Sequence, residues 1–134
     1  MRRWRGGTRP PAGGKLPAKT RAARACLRID PPVLGVAAYL CQQAAEKILK
    51  GLLIIAGVEF ALTHDLDRLA STAEPHYPEA RALLEPIRRL TLWGIAYRYP
   101  GPDPVPEPPA YSDIEQVLTT IDALAERLRA LTRG

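Results

Sequence analysis

Apolar residues recur at spacings of three and four along most of this chain, which is the helical period. Val33 to Ala56 carries the strongest such pattern: Val36, Ala37, Leu40, Cys41, Ala44, Ile48, Leu52 and Ile55 fall on one side, and no proline interrupts them. Gln43, Glu46, Lys47 and Lys50 mark its polar face, and Gly57 suits the position just past its end. A shorter helix is expected over Ala18–Arg28, with Ala22, Ala25, Cys26 and Ile29 sharing a face and Pro31-Pro32 ending it. Thr63 is a candidate N-cap for a third helix, His64–Thr72, with Asp65 in its first turn and Leu62, Leu66, Leu69 and Ala70 as its buried side. Pro78 opens a fourth, Glu79–Tyr97, whose apolar side holds Leu83, Leu84, Ile87, Leu90, Trp93 and Ile95; Pro86 should kink it. Ser112-Asp113-Ile114-Glu115 reads as a capping box. The helix it starts runs to about Leu131 on a clean stripe of Ile114, Val117, Leu118, Ile121, Leu124, Ala125, Leu128 and Leu131. No run reads better as a strand than as a helix. The pattern predicts an all-α protein, an up-and-down bundle of about five helices with a four-helix core.

Composition changes this picture at the ends. The chain has 134 residues and a net charge of +5, but the charge is unevenly placed. Met1 to Arg28 carries nine basic residues and no acid; Ile29 to Gly134 carries ten basic residues against fourteen acids, a net of −4. A basic arm thus precedes a mildly acidic body, which argues against a whole fold built to grip nucleic acid. The segment 1–17 is Gly-, Pro- and Arg-rich without apolar periodicity and is expected to be mobile. It is either an untidy terminus or an arm that touches RNA or DNA, with Trp4 available to stack. Residues 18–134 read as a single domain. Pro100 to Pro109 holds six prolines in ten residues and should be an extended surface loop. Cys26 and Cys41 are expected as reduced thiols, and no Cys/His set has zinc spacing, so neither a metal nor another cofactor is expected. The longest apolar run, Gly51–Val58, is far short of the roughly 20 residues that span a membrane. A soluble cytoplasmic protein that does not engage a membrane is therefore expected.

Three short stretches carry a resemblance. The run from Ala38 to Lys50, AYLCQQAAEKILK, is similar to the second-helix signature of HEPN domains; Thr63-His64-Asp65-Leu66 is similar to their THDL element; and Arg98-Tyr99-Pro100 is similar to their RYP element. They occur in the family's order and at its separations, and the resemblance covers about Arg21 to Leu131. It implies a helical bundle that pairs as a homodimer and is often encoded beside a minimal nucleotidyltransferase, frequently as toxin and antitoxin. It also implies that active members are metal-independent ribonucleases, which use an Arg followed four to six residues later by a His at a cleft between protomers.

That chemistry needs a proton relay for the ribose 2′-hydroxyl and a cation for the charge on phosphorus, roles suited to His and Arg. Arg98 stands where the family Arg belongs, but no His follows it; His76 is the last histidine in the chain, and the other Arg-then-His candidate, Arg68 with His76, has seven residues between and lies outside the motif's place. After four intervening residues Arg98 is followed by Asp103, whose ionised carboxylate would repel phosphate. Losing a general acid/base typically costs about 10²–10⁴ in rate, so an efficient Arg-His ribonuclease is not expected. Arg98 is either a helix-terminal cation or an anion clamp. Gln43, Glu46, Lys47 and Lys50 are either a solvated face or the border of a cleft, and His64 either a structural residue or a proton carrier. Tyr97 and Tyr99 flank Arg98, and the resemblance to HEPN domains implies them as candidate acceptors of a nucleotide group from a partner transferase. With Asp65, these residues make the candidate nucleotide or RNA cleft. Three functions fit the sequence: a non-catalytic nucleotide- or RNA-binding subunit that works with a minimal nucleotidyltransferase, a ribonuclease toxin with a degenerate motif, and a pure dimerisation module.

Overall fold

The structure is a computed structural model that describes residues 3–4, 16–96 and 107–133. Its helices are α1 (Leu16–Arg28), α2 (Leu34–Ile55), α3 (Leu66–Ala73), α4 (Arg81–Ile87), α5 (Thr91–Ala96) and α6 (Tyr111–Arg133). A short 3-10 turn at Pro78–Ala80 leads into α4 and another at Arg88–Leu90 joins α4 to α5 as one rod, so the described residues form five helical rods. The break after Ile87 follows Pro86, which has no N–H to donate and crowds the carbonyl four residues back.

Four contacts fix the directions. A Cβ on Gly51 would lie 3.1 Å from Leu128, so the C-terminal halves of α2 and α6 meet and the two run parallel. The Tyr77 hydroxyl donates to the Leu52 carbonyl at 2.6 Å, while Gly94 sits against Gln42, so the α4–α5 rod runs back down α2. Val33 N–H donates to the Cys26 carbonyl at 2.9 Å across the turn from α1, which includes a cis Asp30–Pro31 bond, and α1 lies antiparallel to α2. This is the expected all-α up-and-down bundle. Its core is centred on α2, where Ile48, Leu49, Leu52 and Leu53 are fully buried against Leu84, Ile87, Ile114 and Ile121. Each such side chain contributes about 1.5–3 kcal/mol by leaving water.

Several local expectations are corrected. In α1 the buried residues are Ala23 and Leu27; Ala22 and Ala25 are exposed, Cys26 is half-buried, and Ile29 is 51% exposed beyond the helix end. Val36, Ile55 and Leu62 are likewise exposed, because each lies near or beyond an end of α2, where fewer neighbours pack. The N-cap of α3 is Asp65, not Thr63: its carboxylate accepts from Arg68 N–H at 3.3 Å, while the Thr63 hydroxyl accepts from Asp65 N–H at 3.1 Å. Helix α6 starts at Tyr111, with the Ala110 carbonyl accepting from Asp113 and Ile114, so Ser112 lies inside the first turn and not at a capping-box position. The α6 stripe from Ile114 to Ala125 is buried within this one chain, so it offers no open face for a second copy; Leu131 is 36% exposed.

Two further differences concern strands and termini. Arg3–Trp4 pairs antiparallel with Phe60–Ala61, a two-residue ladder that no periodicity announced. Phe60–Ala61 is the extended return from α2 to α3, and pairing satisfies backbone groups there. Helix α1 begins at Leu16, two residues before the predicted start. Gly57 adopts φ +70° after α2, as its predicted place past the helix end requires. No helix among the described residues is long and apolar enough to cross a membrane.

Candidate functional site

A cleft of about 550 Å³ opens between α1, α2, the segment before α3, and α5. Its wall on α2 is built by helical spacing: Tyr39, Gln43 and Lys47 are four apart, as are Gln42 and Glu46, so two adjacent rows face the same opening. Lys19 enters from α1, Thr63, His64 and Asp65 from the turn before α3, and Thr91 and Gly94 from α5.

Glu46 is the hub. Its side chain is only 15% exposed, and it accepts from Lys50 Nζ at 3.0 Å, His64 Nδ1 at 2.8 Å and the Gln42 amide at 3.3 Å. Burial alone would raise its carboxyl, but the hydrogen bonds from His64 and Lys50 and the charges behind them outweigh burial and hold it below the usual carboxylate range. Glu46 is therefore a fixed anion at neutral pH, already matched by a half-buried Lys50. A second chain of contacts crosses helices: Lys19 Nζ donates to Gln43 Oε1 at 2.6 Å, and the Gln43 amide donates to the Tyr39 hydroxyl.

The turn that supplies His64 is held locally. Thr63 and Asp65 are both spent on backbone N–H groups, and Leu66 N–H donates to Thr91 Oγ1 at 2.9 Å, tying the start of α3 to α5. The THDL stretch is thus largely a structural latch whose one outward product is His64, with a side chain 80% exposed in the cleft. The floor depends on a glycine. Gln42 is buried in the core, and a Cβ on Gly94 would fall 2.6 Å from its carboxamide, so a larger residue there would push the end of the Gln42 side chain aside.

Of the expected site residues, the structure brings Gln43, Glu46, Lys47, His64 and Asp65 into one cleft. Lys50 does not line it and instead neutralises Glu46 from behind. Tyr97, Arg98, Tyr99 and Asp103 lie outside the described residues. Sequence reasoning missed Lys19, Tyr39, Gln42, Thr63 as a lining residue, Thr91 and Gly94. For Tyr39 and Gln42 the helical spacing to Gln43 and Glu46 held a signal; for Lys19, Thr91 and Gly94 only the way the helices cross reveals it.

Cys41 is buried among apolar neighbours, and burial pushes its thiol up to about 12, partly opposed by the charge of Arg24. Among the described residues no group of His, Cys, Asp and Glu is placed to hold a metal.

Fold and cleft together define a helical-bundle domain with a polar, cation-bearing cleft between its helices. The chain belongs to the HEPN family: the HEPN domain model matches residues 18–131. No curated protein and no solved structure matches it.

Proposed function

We propose that the protein is a non-catalytic HEPN subunit that binds a nucleotide or an RNA phosphate in this cleft, pairs as a homodimer, and works beside a minimal nucleotidyltransferase. The supporting observation is the charge arrangement of the cleft. Both of its carboxylates are already engaged, Glu46 by Lys50 and His64, and Asp65 by the first turn of α3. Lys47 has no ion-pair or hydrogen-bond partner among the described residues, and Lys19 bonds only a neutral amide there. Among the described residues an entering phosphate therefore meets two ammonium groups without a counter-ion of their own, opposed by the Asp65 carboxylate that the start of α3 partly offsets. The non-catalytic part rests on the sequence, in which no histidine follows Arg98. Homodimer and transferase partner rest on family membership.

Thermal unfolding with ribonucleotides and short RNA tests the binding. Ligand at about 100 times its Kd should add about 2.7 kcal/mol of stability. No shift with any of them defeats the binding reading. RNA cleavage that persists in chelator and disappears in Arg98→Ala defeats the non-catalytic one. A neighbouring gene for a minimal nucleotidyltransferase whose product copurifies supports the partnership, and its failure to bind counts against it.

A further inference from the structure

The proton on His64 is fixed by its neighbour. Glu46 is held ionised, so it can only accept, and the group facing it across 2.8 Å, His64 Nδ1, must be the donor. In the neutral imidazole this leaves Nε2 with its lone pair, on the ring edge away from Glu46, in a side chain that is 80% exposed and lines the cleft. The Lys50 and Gln42 contacts to Glu46 lock this arrangement, because they hold the carboxylate that orients the ring. The cleft thus offers two unlike features on adjoining elements: ammonium groups that suit an anion, and an imidazole acceptor that suits a neutral O–H donor.

We infer that His64 Nε2 accepts a hydrogen bond from the ribose 2′-hydroxyl, and that the cleft takes a phosphorylated ribose with its phosphate toward Lys47 and Lys19. This rests on the nucleotide-binding reading above and adds a residue and a preference to it. A deoxyribose lacks the 2′ donor and leaves the acceptor to water. Because Nε2 is exposed, the loss is that of one ordinary hydrogen bond, roughly three- to tenfold in affinity.

Calorimetric titration of the full chain at pH 8 with AMP, dAMP and ribose 5-phosphate tests it, each against wild type, His64→Ala and His64→Gln. The expected result is AMP binding about fivefold tighter than dAMP in the wild type, consistent with one net hydrogen bond. The preference should vanish in His64→Ala and partly return in His64→Gln, whose amide oxygen can accept. Measurable ribose 5-phosphate binding would show that sugar and phosphate suffice; binding of AMP alone would show that the base is needed, and the hydroxyl assignment would stand on the AMP to dAMP ratio. Equal binding of AMP and dAMP by the wild type overturns the inference and leaves nucleotide binding intact. A preference that survives His64→Ala overturns the assignment to His64. Failure of all three ligands to bind overturns this inference, and the absence of a thermal shift with short RNA as well overturns the binding reading with it.

Discussion

Replacing Glu46 by Gln isolates the hub of the cleft. The side chain keeps its size and an acceptor oxygen but loses its charge. Lys50, 17% exposed, then keeps its ammonium without the counter-ion at 3.0 Å, and the His64 bond at 2.8 Å becomes a bond to a neutral amide. A hydrogen bond to a charged group contributes about 1.5–3 kcal/mol, against about 0.5–1.5 for a neutral one. His64 is mostly exposed and its share is small, so the loss falls mainly on the Lys50 pair. The expected cost is about 2 kcal/mol, with breakage of a fully buried pair as the upper bound. For a chain of this size that lowers the melting temperature by roughly 6–10 °C. The sign of the pH dependence follows from the depressed Glu46 carboxyl. Its contribution is fully present above the unfolded glutamate value, about 4.3, and is lost as pH falls through the lower folded value. Scanning calorimetry at pH 7 and then at stepwise lower pH should show wild type and Glu46→Gln converging in acid. Equal melting temperatures at pH 7, or a gap that widens as pH falls, would refute the account of Glu46 as a fixed, compensated anion.

Other perturbations separate cleft from scaffold. Gly94→Ala places a methyl 2.6 Å from the Gln42 carboxamide; overpacking of about 1–3 kcal/mol is partly offset by the roughly 1 kcal/mol gain in helix propensity, so calorimetry should show a small stability change while titration shows weakened nucleotide binding. Arg88 joins α3 to the α4–α5 rod through Asp67 at 2.9 Å, Glu74 at 2.8 Å and Glu85 at 3.1 Å, so Arg88→Ala should cost about 1–3 kcal/mol in denaturant unfolding without changing nucleotide affinity. Native-state alkylation should label half-buried Cys26 before Cys41, whose thiol is buried and held protonated; mass spectrometry showing Cys41 modified first would contradict the packing.

The bundle was legible because α2 and α6 are long and strongly periodic, and a buried stripe of large aliphatic side chains has one consistent solution. Helix α1 was misread because it is alanine-rich: with little contrast between faces, the side that packs is decided by where Leu27 lands on α2, not by the helix itself. The caps were misplaced by one or two residues because Ser, Thr and Asp can each close a turn or cap a helix, and Thr63 takes the first role while Asp65 takes the second. The α6 stripe also shows a limit of pattern reading: an apolar face has the same spacing whether a neighbour in the chain or a second copy covers it. Within the cleft, Gln43, Glu46 and Lys47 share a helical face that the sequence displays. Lys19 and Gly94 come from helices whose crossing point no local pattern encodes.

If a nucleotide or RNA phosphate binds in the cleft between α1, α2 and α5, the residues that line it must sense the ligand. Backbone amide chemical shifts during titration with AMP and with a short RNA test it most directly. Saturable changes are expected at Gln42, Gln43, Lys47, His64 and Gly94, with the groove beside Trp93 and Pro109 unaffected. Changes concentrated in that second groove, or none at saturating ligand, would contradict it.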